Sequence, residues 1–132
     1  MNNHLKKLGW VLFALFIISC SGYGEKLVYD GTEVYYKEGV SEDLARKTGA
    51  YLQEMGFTDG TTKSVQLTKD SVHHFRMVVQ DQYATDTSMD INFEALAFLL
   101  SEEVFDGENI RFELCNNTFK TLREIPVHAA GE

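Results

Sequence analysis

The apolar positions of this chain change period in a regular order, and each period predicts an element. Val65 and Leu67, then Phe75, Met77 and Val79, recur at every second residue, as do Ile110, Phe112 and Leu114. That is the repeat of strands with one buried face. Elsewhere the repeat lengthens to a helical one, through Leu44, Tyr51, Leu52 and Met55 in one stretch and Phe93, Leu96, Ala97, Leu100 and Val104 in another. Turn and cap signals delimit these runs. Asp30-Gly31 joins Leu27–Tyr29 to Glu33–Tyr36 as a hairpin. Ser41, followed by Glu42 and Asp43, is a helix N-cap, and Gly56-Phe57 reads as a glycine C-cap with an apolar clamp. Lys69-Asp70-Ser71 turns Val65–Thr68 into His73–Gln80. A second helix starts near Ser88 or Asp90 and stops at Asp106-Gly107, and Asn116-Asn117 turns Ile110–Cys115 into Phe119–Ile125.

These elements predict an α+β fold of order ββαββαββ, a two-layer sandwich with an antiparallel-rich sheet and two helices on one face. The inner elements read β-α-β-β-α-β, the order of a ferredoxin-like core, with one extra strand at each end. Phe57-Thr58-Asp59-Gly60 and Phe105-Asp106-Gly107 each close a helix and precede a hairpin, so the halves are candidates for an internal duplication. One domain over residues 26–127 and a tail over 128–132 are expected. Gly49, in the middle of the first helix, predicts a close approach to the sheet or to the second helix. The strand parity opposite the apolar one carries Gln66, Thr68, His74, Arg76, Arg111, Glu113 and Cys115, with Tyr35. No element is left over to cover that face, which is expected to be open and solvated.

The N-terminus differs from all of this. Lys6 and Lys7 precede an apolar run from Leu8 to Ile18, interrupted by Gly9; a membrane span needs about 20 apolar residues, a signal peptide fewer. The run ends in Ile17-Ile18-Ser19-Cys20: an aliphatic residue three before the cysteine, a tolerant position, a small residue, then Cys. This pattern resembles the lipobox of bacterial lipoproteins. The resemblance implies that residues 1–19 are a signal peptide and that Cys20 becomes the mature N-terminus. There it would carry a diacylglycerol thioether and an acylated (palmitate) amine. It also implies a membrane anchor through Cys20 and a cell-envelope location. Ser21–Glu25, with Gly22 and Gly24, reads as a short flexible tether, so that residues 20–25 form the lipidated cysteine and its tether. Ser21, rather than Asp, points to the outer membrane.

Charge sharpens this picture. The 132-residue chain has 12 basic and 20 acidic side chains, a net charge of −8, which opposes binding to a nucleic-acid backbone. Removing Lys6 and Lys7 with the signal leaves 10 basic and 20 acidic residues, a net −10, so the domain should stand off from an anionic membrane. With Cys20 lipidated, Cys115 has no partner for an intramolecular disulfide.

Candidate chemistry is sparse. The glycine-rich nucleotide loops, H-E-x-x-H, C-x-x-C and G-x-S-x-G are absent from the sequence. His73 and His74 are adjacent on a strand, point to opposite faces and cannot share a metal ion. Cys115 as nucleophile would need His74 as base and an electropositive setting from Arg76 and Arg111. Glu102, Glu103 and Asp106 lie among the polar positions of a helix, where solvated carboxylates are routine. No catalytic residue, cofactor or metal is expected. With Phe93 at 0° and 100° per residue, Phe98 and Phe105 project at about 140° and 120°, beyond the core stripe. They either wrap over the neighbouring elements or leave an apolar flank for a partner.

An address without a catalytic constellation predicts a non-enzymatic, lipid-anchored binding or assembly module of the envelope. It would engage an envelope protein or a second copy of itself through the open sheet face, the Phe98 and Phe105 flank, or an edge strand. The mature domain loosely resembles uncharacterised accessory domains of bacterial envelope proteins, a likeness that carries no functional residues. The alternative is a small-anion binder or hydrolase, with Tyr35, His74, Arg76, Arg111 and Glu113 on the sheet face as its site.

Overall fold

Asp30 and Gly31 both take left-handed backbone angles, φ 49° and 87°, as a two-residue hairpin turn requires. They join β1 (Glu25–Tyr29) to β2 (Thr32–Tyr36). The computed structural model describes residues 21–127; the expected signal peptide, Cys20 and the tail lie outside the described residues. After β2 come α1 (Glu42–Glu54), β3 (Lys63–Lys69), β4 (His73–Val78), α2 (Asp90–Glu103), β5 (Arg111–Cys115) and β6 (Thr121–Ile125). Short 3-10 turns sit at Ser21–Tyr23 and Asp81–Ala84. Ser41 caps α1, its Oγ accepting from Leu44 N at 3.1 Å. Phe119, expected to open the last strand, belongs to the preceding turn. Its φ is 57°, its N–H donates to Asn116 O at 3.0 Å, and Asn116 Oδ1 accepts from the N–H groups of Thr118 and Lys120.

The six strands lie side by side in sequence order. The pairs β1–β2, β3–β4 and β5–β6 are antiparallel, whereas β2–β3 and β4–β5 are parallel and each spanned by a helix. The α+β class and the two helices on one face are as expected; the ferredoxin-like core is not found. That arrangement splits each helix-connected pair with another strand, whereas here Val34 pairs directly with Val65 and Phe75 with Phe112.

Direction has a further consequence. β2 and β3 run one way and β4 and β5 the other. Both crossovers step the same way across the sheet, and both helices contribute to one core on one face. Reversing the strands while keeping step and face reverses the hand. One crossover is therefore left-handed, against a preference followed in about 98% of such connections. No rotation carries one β-α-β unit onto the other, so the candidate duplication is not expressed as a symmetry of the fold.

The core joins Val34, Val65, Leu67, Phe75, Phe112, Leu114 and Ile125 of the sheet to Ala45 and Leu52 of α1 and to Phe93, Leu96, Ala97 and Leu100 of α2. The Phe75 and Phe112 rings stack across β4–β5 with centroids 5.2 Å apart. No side chain caps the α2 N-terminus, but Arg123 of β6 grips Asp90 there, Nη1 to Oδ2 at 2.9 Å and Nη2 to Oδ1 at 2.7 Å. A carboxylate at that end also meets the positive pole of the helix.

Gly49 makes the expected close approach, to the sheet. A Cβ there would fall 2.1 Å from the Tyr29 ring, and the Tyr29 hydroxyl reaches Arg46 O at 3.4 Å. Gly49→Ala should destabilise the domain by about 1–3 kcal/mol through overpacking. In a Tyr29→Ala background the same change should instead stabilise by about 0.5–1 kcal/mol, the ordinary helix preference for Ala. Urea unfolding of the four proteins of this cycle reads the reversal of sign.

Candidate functional site

The outer face of the sheet is built around Arg76 on β4. Strand register places Gln66 on one side of it and Glu113 on the other. Arg76 Nη1 donates to Gln66 Oε1, Nη2 donates to Phe119 O at 2.6 Å and Thr121 Oγ1 at 3.1 Å, and Nε faces Glu113 Oε1 at 3.5 Å. Glu113 also accepts from Thr121 Oγ1 at 2.8 Å and meets His74 Nδ1 at 2.5 Å. His74 Nε2 lies 3.1 Å from Asp70 Oδ2 but out of hydrogen-bond alignment.

This face is not open at its centre, contrary to the sequence expectation. Gln66 is only 1% exposed, because the N-terminal turn folds over it and Tyr23 O accepts from Gln66 Nε2 at 3.0 Å. The Tyr23 ring meets Tyr35 edge-on at 5.7 Å and Phe119 at 5.1 Å, and Tyr35 meets Phe119 at 5.7 Å. Three aromatic rings thus roof the polar network. Tyr23, read from sequence as tether, is an integral part of the face; an aromatic in a short glycine-flanked segment was the one signal for it.

Arg111 is held apart from this cluster. It forms a two-pronged bond with Glu124, Nε to Oε1 at 2.8 Å and Nη2 to Oε2 at 2.6 Å. Each arginine of the expected anion site thus already holds a carboxylate, which removes the geometric basis for that alternative. Cys115 is buried, and burial pushes its thiol pKa up. It pairs with Val78, four positions along the strands from His74 and Arg111, so the thiol and its candidate base are not brought together. Among the described residues, no three His, Cys, Asp or Glu side chains form a metal-binding group. His73, on the helix side, packs against Phe105 at 5.2 Å and lies 3.6 Å from Glu108.

The apolar flank changes membership. Phe105 is 3% exposed and belongs to the core. The helix ends at Glu103, so its projection no longer applies, and Phe105 N–H turns back to Leu100 O at 3.1 Å. Phe98 and Leu99 remain exposed, at 39% and 36%, and Ile91 joins them at 81%. Ile91 lies seven residues before Phe98 and projects at about 160° on the same wheel, which is how it could have been found. Ala95, one turn before Leu99, is exposed as well. The outward side of α2 thus carries a stripe of four apolar residues, interrupted by Asn92 and ending at Glu102.

Residues 26–126 match the model of the AF_1994_N family N-terminal domain, and the chain belongs to this family. No curated protein and no solved structure matches it.

Removing Arg76 would leave the buried Gln66 Oε1 and the Phe119 carbonyl without their donor and Glu113 without its neighbouring cation, whereas Arg111 and Glu124 are half exposed at 53% and 41%. Arg76→Ala should cost about 2–3 kcal/mol and Arg111→Ala less than about 1 kcal/mol, read from urea midpoints. Burial raises the Glu113 pKa, but hydrogen bonds from His74 and Thr121 and the Arg76 charge outweigh it and hold the group below its ordinary 4.5. Burial, aided by Lys69, holds His73 below its ordinary 6.5. Both depressions contribute stability above the unfolded-state pKa and lose it as the pH falls through the folded one. Stability should therefore decline in two stages, from 6.5 downward and again from 4.5 downward. His73→Gln should remove the first. Glu113→Gln should lessen the second without abolishing it, because Asp90 and Glu124, held down by Arg123 and Arg111, titrate there too.

Proposed function

We propose that this family member is a non-enzymatic interaction module of the bacterial envelope, anchored through lipid on Cys20, whose partner docks on the outward side of α2. The observation that carries the reading is a helix with an apolar stripe on each side. Phe93, Leu96, Ala97 and Leu100 fill the core, while Ile91, Ala95, Phe98 and Leu99 face outward. An exposed apolar stripe opposite the one that faces the core has no role in holding the fold and is a candidate interaction surface. The surroundings specify the partner's chemistry. Residues 81–110 contain eight Asp and Glu and no Lys or Arg, so a partner with an apolar centre and a basic rim fits. A second copy would bring eight more carboxylates, which disfavours self-pairing through this helix. The anchor rests on the Ile17-Ile18-Ser19-Cys20 resemblance, and Ser21 favours the outer membrane.

The test is affinity capture from envelope fractions of cells expressing the full chain, beside Ile91→Ser, Phe98→Ser and Cys20→Ala. Ile91 is 81% exposed, so Ile91→Ser should change stability by less than about 0.5 kcal/mol. Phe98, 39% exposed, still buries most of its ring, and Phe98→Ser should cost about 1–2 kcal/mol, which a urea midpoint separates from loss of binding. A protein held by wild type and released by both serine variants supports the reading; one held equally by all refutes the α2 surface. Cys20→Ala should abolish the lipid mass and move the protein from the membrane to the soluble fraction.

A further inference from the structure

We propose that the outer face of the sheet, at the Tyr23, Tyr35 and Phe119 cluster, is the side apposed to the bilayer that holds the anchor, so that α2 points away from the membrane. This rests on the lipoprotein reading and adds an orientation to it.

Chain length is the first argument. Cys20 is three residues before Tyr23, and three peptide links span at most about 11 Å. Tyr23 is docked on the sheet, its ring against Tyr35 and Phe119 and its carbonyl on Gln66. A lipid on Cys20 would therefore enter the bilayer beside this face. The expected tether is largely used up in covering it.

The charge distribution is the second, independent argument. The outer-face charges of the strands are balanced: Lys26 pairs with Glu33 at 3.2 Å, Arg76 with Glu113, and Arg111 with Glu124 at 2.6 Å. The excess acid lies on the other side, in the eight carboxylates of residues 81–110. Two of these are paired with cations, Asp90 with Arg123 at 2.7 Å and Asp106 with Lys47 at 3.6 Å, which still leaves this segment with a net excess of acid. A helix layer adds about 10 Å of thickness, and electrostatic interactions in physiological salt are largely screened beyond about 8–10 Å. With the sheet down, the acidic layer sits beyond the reach of an anionic surface; with the helices down, it lies against it. The repulsion expected from the net charge thus orients the domain instead of lifting it off. Tyr side chains also favour the headgroup level that this arrangement gives Tyr23 and Tyr35.

The experiment uses the full chain made in a bacterial host and reconstituted in phosphatidylglycerol–phosphatidylcholine vesicles with a nitroxide on part of the choline headgroups. The chain's one tryptophan is Trp10, within residues 1–19. New probes therefore report alone in the processed protein: Val28→Trp on the outer face, where Val28 is 57% exposed, and Ile91→Trp on α2. Headgroup quenching should be at least about twofold stronger for Val28→Trp, since a helix layer of about 10 Å separates the two sides. Adding Tyr23→Gly should leave vesicle flotation intact and shrink that ratio toward one. Flotation with equal or reversed quenching overturns the orientation alone, and an unchanged ratio in Tyr23→Gly overturns the docked-turn argument. Failure to float, with no diacylglycerol mass on Cys20, overturns the lipoprotein reading and the orientation with it.

Discussion

Arg76 faces four acceptors from separate parts of the chain: Gln66 on β3, Glu113 on β5, the Phe119 carbonyl and Thr121 at the turn into β6. A guanidinium under an aromatic roof is stable only if its donors are met, so the neighbouring strands must hold register and the β5–β6 turn must fold back over the sheet. Gln66 carries the constraint onward, using its oxygen for Arg76 and its amide nitrogen for the Tyr23 carbonyl. The helix-free side of the sheet is thereby as strongly specified as the core side. Its polarity serves order among neighbours more than recognition of a ligand.

The two layers divide the physical tasks. The sheet's inner face and the inward sides of both helices hold the apolar core. The left-handed crossover is unusual, and local chain chirality works against it. The longer connection, residues 79–110, is tied down where it passes β6: Arg123 Nε donates to Tyr83 O at 3.2 Å and its two terminal nitrogens grip Asp90. A bidentate Arg–carboxylate pair at a helix start supplies both direction and position. This fastening keeps α2 over the β5–β6 side and leaves its second apolar stripe outward.

That stripe and the acidic segment containing it belong to one chain region, whereas the outer sheet face is charge-balanced. The domain is consequently electrostatically two-sided despite its uniform net excess of acid. A protein held at a surface by one end benefits from such asymmetry, because the field of the surface then favours one orientation. In the proposed arrangement the same asymmetry turns the exposed apolar stripe of α2 toward a partner.

Much of the fold was legible in the sequence because it depends on local rules. Two-residue and helical periods, the Asp30-Gly31 turn, the Ser41 cap and the close approach at Gly49 act within a few residues or across one element. They determined the order of elements, the α+β class and which strand positions face inward. Strand order was not legible, since the same β-α-β-β-α-β string suits either a split or a direct parallel pair and only long-range packing chooses. Phe105 entered the core because the helix ended before it, and Tyr23 joined the sheet through partners 12 and 96 residues away, Tyr35 and Phe119. The candidate anion site failed for the same reason: the sequence placed Arg76 and Arg111 on one face, but only the tertiary structure decided which carboxylate each would meet. Periodicity and capping are properties of adjacent residues, whereas pairing, handedness and the covering of a face depend on how distant segments arrive together.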